Sequence, residues 1–413
     1  MLRADAAWVT VCNWAEALER RYGGSQLIAG ADLLDVTDVR ATLFDAEHSP
    51  YDRERSALKN RVRSNSVVRT SETLVKDARW ALVGLRSARP RHGHPAFAGA
   101  PYVWQRHNLF HRNGRAMADA LGVPLLHFVD APHVWESEAW GINRGLMTRV
   151  TERLGECPQA RSADLVACVS EEVADATVRR LGVDPGRIIM TPNTVDAVRF
   201  TRSDASNLRT RLGLDGKVVV GWVGSFRPFH AVDALIEGFD AAARTAPQLH
   251  LVLVGSGAVL ADARADVARR GLDRRVTFVG SVPNEQVPEY ISLFDIAMLP
   301  AAAGPFHYSP LKLREFAAAG NAIVAADVGD VSDTLRDGDE AVIVRPGSAD
   351  ALSDAVIELA RDPSRRRKLG DAAQRAANTR FGMQRVLELI EVRLQESADG
   401  VRSARHSTPI EHS

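Results

Sequence analysis

Val218-Val219-Val220-Gly221-Trp222-Val223-Gly224 is an apolar run closed by glycine, and the device recurs at 249–255 and 276–280. Further apolar, β-branched runs follow at 296–300, 322–326 and 341–344. They are continuous rather than alternating, the pattern of strands buried on both faces of a parallel sheet. Between the first two, Val232, Leu235, Ile236 and Phe239 stand at i, i+3, i+4 and i+7 and make one apolar helix face. Leu311, Phe316 and their alanine neighbours do similar work ahead of Gly320, which reads as a helix stop. Strand alternating with helix means βαβ units in an open, doubly wound α/β sheet.

The first half repeats the alternation less cleanly. Strands are expected at 9–12, 41–44, 102–104, 124–129, 165–169 and 188–191, with helices at 26–36, 114–121 and 171–181. Two sheets of about six strands each are too much for one layer, so the chain reads as two α/β domains. The N-terminal domain spans 1–200 and the C-terminal domain 217–380, with the polar stretch 201–216 as hinge. The tail 397–413 lacks apolar periodicity and is expected to be disordered.

Composition narrows the class. Lys plus Arg and Asp plus Glu both number 52 in 413 residues, so the net charge is zero and the basic excess of a nucleic-acid binder is missing. The start lacks a basic segment followed by an apolar one, and no stretch approaches the length of a membrane span. A cytoplasmic chain without an integral membrane segment is expected. Cys12 and Cys168 sit in short apolar runs and Cys157 stands apart from both, so none belongs to a C-x-x-C pair; buried small hydrophobes are the expectation.

Motifs exclude as much as they point to. Val254-Gly255-Ser256-Gly257 begins like a dinucleotide fingerprint, but Leu260 stands where the third glycine belongs, which disfavours a dehydrogenase. The metalloprotease, P-loop and nucleophile-elbow signatures are missing. Asp337-Gly338-Asp339 is a carboxylate pair of metal-binding type, yet its place before 341–344 reads as turn chemistry, and no metal is expected. The basic stretch 86–94 reads as a surface loop, and 361–368 as a solvated helix start at Asp362-Pro363. The most informative segment is Ser309-Pro310-Leu311-Lys312-Leu313-Arg314-Glu315-Phe316. Ser309 is a good cap and Pro310 suits a first turn. The helix would open at the carboxyl end of the 296–300 strand, where an N-terminus suits a diphosphate. Glu315, a turn and a half in, is placed to accept hydrogen bonds from vicinal hydroxyls.

With these pieces in order, the chain from about Trp8 to Leu394 resembles the retaining glycosyltransferases of family 4, which have the GT-B fold of two Rossmann-like domains facing across a cleft. The matching elements run Gly23-Gly24 before a helix, Leu121-Gly122-Val123-Pro124, Ala163-Asp164-Leu165-Val166 and Pro192-Asn193-Thr194-Val195-Asp196. They continue with Gly221 to Ser225, Leu253 to Gly257, Val279-Gly280-Ser281-Val282, Glu315 and Gly320 to Val324. The resemblance implies that Glu315 holds the ribose of a nucleoside-diphosphate sugar, and that the Leu311 and Lys312 amides meet its diphosphate. Gly224, Gly255, Gly257 and Val282 would shape the nucleotide pocket, and Gly24 would lie on a loop closing over donor and acceptor. A C-terminal helix at 381–396 would pack back onto the first domain.

This sequence departs from the family at several of these places. Ser225 and His230 stand where relatives carry Arg and Lys, leaving Arg227 to supply the cation. His307 replaces the first Glu of the family's paired-Glu motif. Asp130 replaces its catalytic-cleft His, with His133 close by. Asp130, His133 and His307 are thus the catalytic candidates. The expected activity is metal-independent, retaining sugar transfer with the nucleotide sugar as co-substrate and no other cofactor. The acceptor would be a small molecule or glycan, and the protein a monomer or homodimer. A pseudo-glycosyltransferase and a non-catalytic nucleotide-sugar-binding homologue fit the same residues.

Overall fold

The computed structural model describes residues 6–25, 27–29, 32–34, 66–86, 97–139, 142, 144–304 and 309–406. The chain divides into two compact units, Met1–Pro192 with Leu387–Ser413, and Asn193–Val386.

In the first unit β1 (Leu27–Ala29) and β2 (Asp32–Leu34) form a short antiparallel pair, in place of the helix expected at 26–36. The main sheet is parallel, in the order β3 (Val103–Arg106), β4 (Leu125–Val129), β5 (Leu165–Cys168), β6 (Ile188–Met190). These are four of the six strands expected. Residues 41–44 lie outside the described residues, as does most of the basic stretch 86–94. Residues 9–12, expected as a strand, are inside the helix Ala6–Tyr22. The β-branched Val-Thr-Val run favours a strand locally, but Trp14 stacks on Trp104 at 5.5 Å and meets Phe128 at 5.6 Å, so packing overrides propensity. Gly23 and Gly24 therefore follow a helix and precede β1, the reverse of the expected order. All three cysteines are buried, and burial pushes the Cys168 thiol up to about 12.

The second unit holds a six-stranded parallel sheet in the order β12-β11-β10-β7-β8-β9. These are β7 (Val218–Val223), β8 (Leu249–Val254), β9 (Val276–Gly280), β10 (Ile296–Leu299), β11 (Ala322–Ala326) and β12 (Val342–Val344), all legible in the sequence. Strand order reverses between β7 and β10, and ligands of such sheets bind at that switch point, beyond the carboxyl ends of the strands. Apolar side chains fill both faces of the sheet. Residues 201–216 do not stand outside this core: Leu208 and Leu214 are buried in it, and Arg209 reaches Leu293 O and Asp295 at 3.1 Å. Apolar residues spaced six apart in a polar stretch are easily read as linker.

The unit's two ends meet. Val195 forms a parallel bridge with Gly382, and Met383 N donates to Val195 O at 3.2 Å. The helix Met383–His406 then continues into the first unit, where Glu391 takes Arg21 Nη2 at 2.7 Å. It carries residues 397–406, expected as disordered tail, because a nucleated helix elongates at one hydrogen bond per residue even without an apolar face. Residues 407–413 lie outside the described residues. Among the described residues no helix is long and apolar enough to cross a membrane.

Candidate active site

At the switch point of the second unit, the turns after β7 and β8 lie against each other. Gly255 has φ +126, and a Cβ there would sit 1.9 Å from Gly224 O; a Cβ on Gly257, φ +156, would sit 2.6 Å from Phe226 O. Only glycine fits, because both conformation and space are closed to a side chain. Backbone bonds from Gly224 N to Val254 O, Phe226 N to Ser256 O and Gly255 N to Gly280 O fix the turns. The loop after β10 is tied on by Ala302 N to Phe229 O at 3.1 Å. Val282, just past β9, packs against the core.

Ser225, Arg227 and His230 share the loop after β7. Ser225 Oγ lies 3.5 Å from His230 Nε2, and the imidazole lies against Phe229 and Trp222, with centroids at 4.3 and 5.9 Å. Burial, then the charges of Arg227 and Lys312, push His230 down to about 4. It is neutral at pH 7, so the positive charge at this edge belongs to Arg227 and Lys312. His230 does not replace the lysine of relatives as a cation.

The helix Leu311–Ala318 follows. Ser309 does not cap it: the N-cap is Pro310, without a side-chain bond, and Leu313 N turns back onto Pro310 O at 3.2 Å, which leaves the amides of Leu311 and Lys312 at the open end. Ser309 Oγ instead donates to Asp330 at 2.7 Å. Lys312 Nζ and Glu315 Oε2 pair at 2.7 Å across one turn, with Glu315 only 4% exposed. Asp337 is a turn residue as expected, accepting from Ile343 N at 2.8 Å. His307 lies outside the described residues.

In the first unit a separate polar cluster stands at the carboxyl ends of β3 and β4. Arg106 pairs with Asp130, whose Oδ1 is buried without a hydrogen-bond partner among the described residues. Beside it Glu156, fully buried, accepts from His107 Nε2 at 2.8 Å, His133 N at 2.6 Å and Val134 N at 3.3 Å. His107 Nδ1 meets His127 Nε2 at 2.9 Å, and the His133 ring stacks on His107 at 5.5 Å. Glu156 sits in a π-helical turn, Glu152–Glu156, a distortion common at functional positions. Burial raises the Glu156 carboxyl, but the His107 hydrogen bond and neighbouring imidazoles outweigh it and hold it below the usual range. With Glu156 ionised, His107 Nε2 is the donor. Burial, then His107, lowers His127 well below its ordinary value and His133 to about 4. Gly24 is exposed beyond the helix Ala6–Tyr22. Arg106, His107, His127 and Glu156 escaped the sequence reading, because nothing in their spacing links residues on separate elements.

These rings set the acid response. Unfolded imidazoles titrate near 6.5 and take up protons that the buried rings refuse. Stability is therefore full above about pH 6.5 and falls as the pH drops towards about 4. Melting temperatures from pH 7 to 4.5 should show this slope, flattened in His133→Phe and in His230→Phe. An unchanged slope in both would show that neither ring is held neutral.

A six-stranded parallel sheet of this order in one unit, with a glycine-lined switch point and an open helix N-terminus, and a four-stranded parallel sheet in the other define a two-Rossmann architecture. Residues 217–362 match the family described as Glycosyl transferases group 1, and residues 8–199 match Glycosyltransferase Family 4. The chain belongs to the family-4 glycosyltransferases, with the GT-B fold. A D-inositol 3-phosphate glycosyltransferase of Nocardia farcinica is 30% identical over 229 residues, covering 54% of this chain and 50% of that protein. A 2-deoxystreptamine N-acetyl-D-glucosaminyltransferase of Streptomyces fradiae is 29% identical, covering 56% of this chain and 55% of that protein. The chain thus spans about half the length of these curated relatives. The structure of Anabaena Alr3699/HepE in complex with UDP has the same fold, with TM-score 0.59 and 22% identity over 75% of this chain and 85% of that one.

Proposed function

We propose that this chain transfers a sugar from a nucleoside-diphosphate sugar to a hydroxyl of a cyclitol-type acceptor, with retention and without a metal. What carries this reading is the β7/β10 switch point, where Arg227, Lys312 and the open amides of the helix Leu311–Ala318 gather donors and positive charge around one place. Glu315 there accepts the ribose hydroxyls. The bond from the anomeric carbon to the diphosphate oxygen breaks, the acceptor oxygen attaches on the same face, and its proton passes to the departing phosphate. Asp130 and His133 orient the acceptor; His133, neutral at pH 7, serves as a hydrogen-bonding group and not as a strong base. The acceptor class follows the inositol and deoxystreptamine acceptors in the relatives' names.

A thermal-shift panel of UDP, GDP, ADP and TDP with their sugars tests the reading. A ligand at about a hundred times its dissociation constant stabilises by roughly 2.7 kcal/mol. No shift with any of them would overturn it.

Arg227→Ala should weaken nucleoside diphosphate binding about tenfold or more and leave the bare nucleoside unaffected, since a charge-assisted bond to phosphate contributes about 1.5–3 kcal/mol. Equal losses for both ligands would mean that Arg227 acts structurally. Chelator should leave transfer unchanged; strict dependence on Mg²⁺ or Mn²⁺ would return Asp337 and Asp339 to consideration.

A further inference from the structure

Behind the open helix N-terminus lies a buried ion pair. Arg314 is 1% exposed, and its Nη2 lies 2.6 Å from Asp330 Oδ2 and 3.0 Å from Thr334 Oγ1. Its Nη1 donates to Pro310 O, the carbonyl that leads into the helix, at 3.3 Å. The same Asp330 oxygen takes the Ser309 hydroxyl at 2.7 Å. Ser309 in turn receives Asn193 twice, backbone N on Oγ at 3.2 Å and Nδ2 on the carbonyl at 2.7 Å. On the helix, Lys312 and Glu315 share one face, and Arg314 lies about 200° round from Lys312, on the opposite side.

Stability does not account for this pair. Burying two charges costs more desolvation than their attraction usually returns, and an apolar pair of like volume is often as stable or more so. Arg314 Nε and Asp330 Oδ1 are, moreover, buried without a hydrogen-bond partner among the described residues. What the pair does hold is Ser309 and Pro310, the two residues that set where the first turn begins.

We propose that Arg314 and Asp330 are positioning residues of the donor site, fixing the Ser309-Pro310 junction so that the first-turn amides and Lys312 meet the diphosphate. This rests on the donor site described above.

Arg314→Met combined with Asp330→Leu replaces the ions by an apolar pair and should keep the fold. Titration calorimetry with UDP, GDP, ADP and TDP, and with each matching nucleoside, reads the effect. Misplacement by about 1 Å costs up to about a hundredfold, so diphosphate affinity should fall about tenfold or more while nucleoside affinity stays within about threefold. Ser309→Ala, a small change that keeps the pair, should give a smaller loss of the same kind. Combined with the double variant it should add nothing, because all three residues belong to one chain of contacts. Unchanged diphosphate affinity, equal loss of nucleoside, or full additivity would overturn the proposal. If the double variant fails to fold, Ser309→Ala decides alone by the same split between ligands. Failure of the unaltered chain to bind any of the diphosphates would remove the donor site and this role with it.

Discussion

Glu315→Ala should lower nucleoside diphosphate affinity about ten- to a hundredfold, the roughly 1.5–3 kcal/mol of a lost charged acceptor. The melting temperature of the free protein should hardly move. Alanine is the best helix former, so the helix Leu311–Ala318 keeps its propensity. Lys312, whose side chain is 28% exposed, can exchange its bond to Glu315 for water. The loss should therefore appear in binding and not in folding. A 2′,3′-dideoxy nucleotide provides the cross-check: it should bind the unaltered protein as poorly as the ordinary nucleotide binds Glu315→Ala, and the two losses should not add. Full additivity, or an unfolded variant, would show that Glu315 holds the helix and not the ribose.

Glu156→Ala should do the opposite, damaging the fold of the first unit and sparing the donor site proposed in the second. Its removal strands three donors in the interior: His107 Nε2 and the amides of His133 and Val134. Taking one partner from a buried charged network typically costs about 3–5 kcal/mol. At about 2–4 °C per kcal/mol for a domain of this size, the melting temperature should fall on the order of 10 °C. Circular dichroism melts at pH 7.5 measure this, with nucleoside diphosphate binding at 25 °C as control. A fall of less than about 3 °C would mean that the network adds little to stability.

The second sheet was legible because each of its strands is buried on both faces and so writes an unbroken apolar run, punctuated by turn glycines. The four parallel strands of the first unit were legible as well, but its helix Ala6–Tyr22 was not, because it is built partly from β-branched residues whose local preference loses to the Trp14, Trp104 and Phe128 stack. Glu315 could be singled out since spacing places it on one helix behind Ser309 and Pro310, while Gly255 and Lys312 were reached through the resemblance to family 4. Arg314 and Asp330 could not. Each reads as an ordinary surface charge, and only the approach of two elements 16 positions apart in sequence buries them together. Ser309 illustrates the same limit: its residue type suits a cap, but Asp330 competes for the hydroxyl and wins. The His107, His127, His133 and Glu156 cluster draws on four separate elements and leaves no local trace.

The bridge between Val195 and Gly382 gives the second unit the topology of an insert. The chain leaves the first unit once, completes a whole Rossmann-like sheet, and returns beside its own point of departure. Asn193–Val386 is thus a cassette with adjoining ends, the arrangement in which domain insertion and permutation are best tolerated. Exchanging the cassette at this seam for that of another family member would swap the second unit without breaking a strand of either sheet. The two units can on that account diverge independently, as interchangeable modules joined at a single suture.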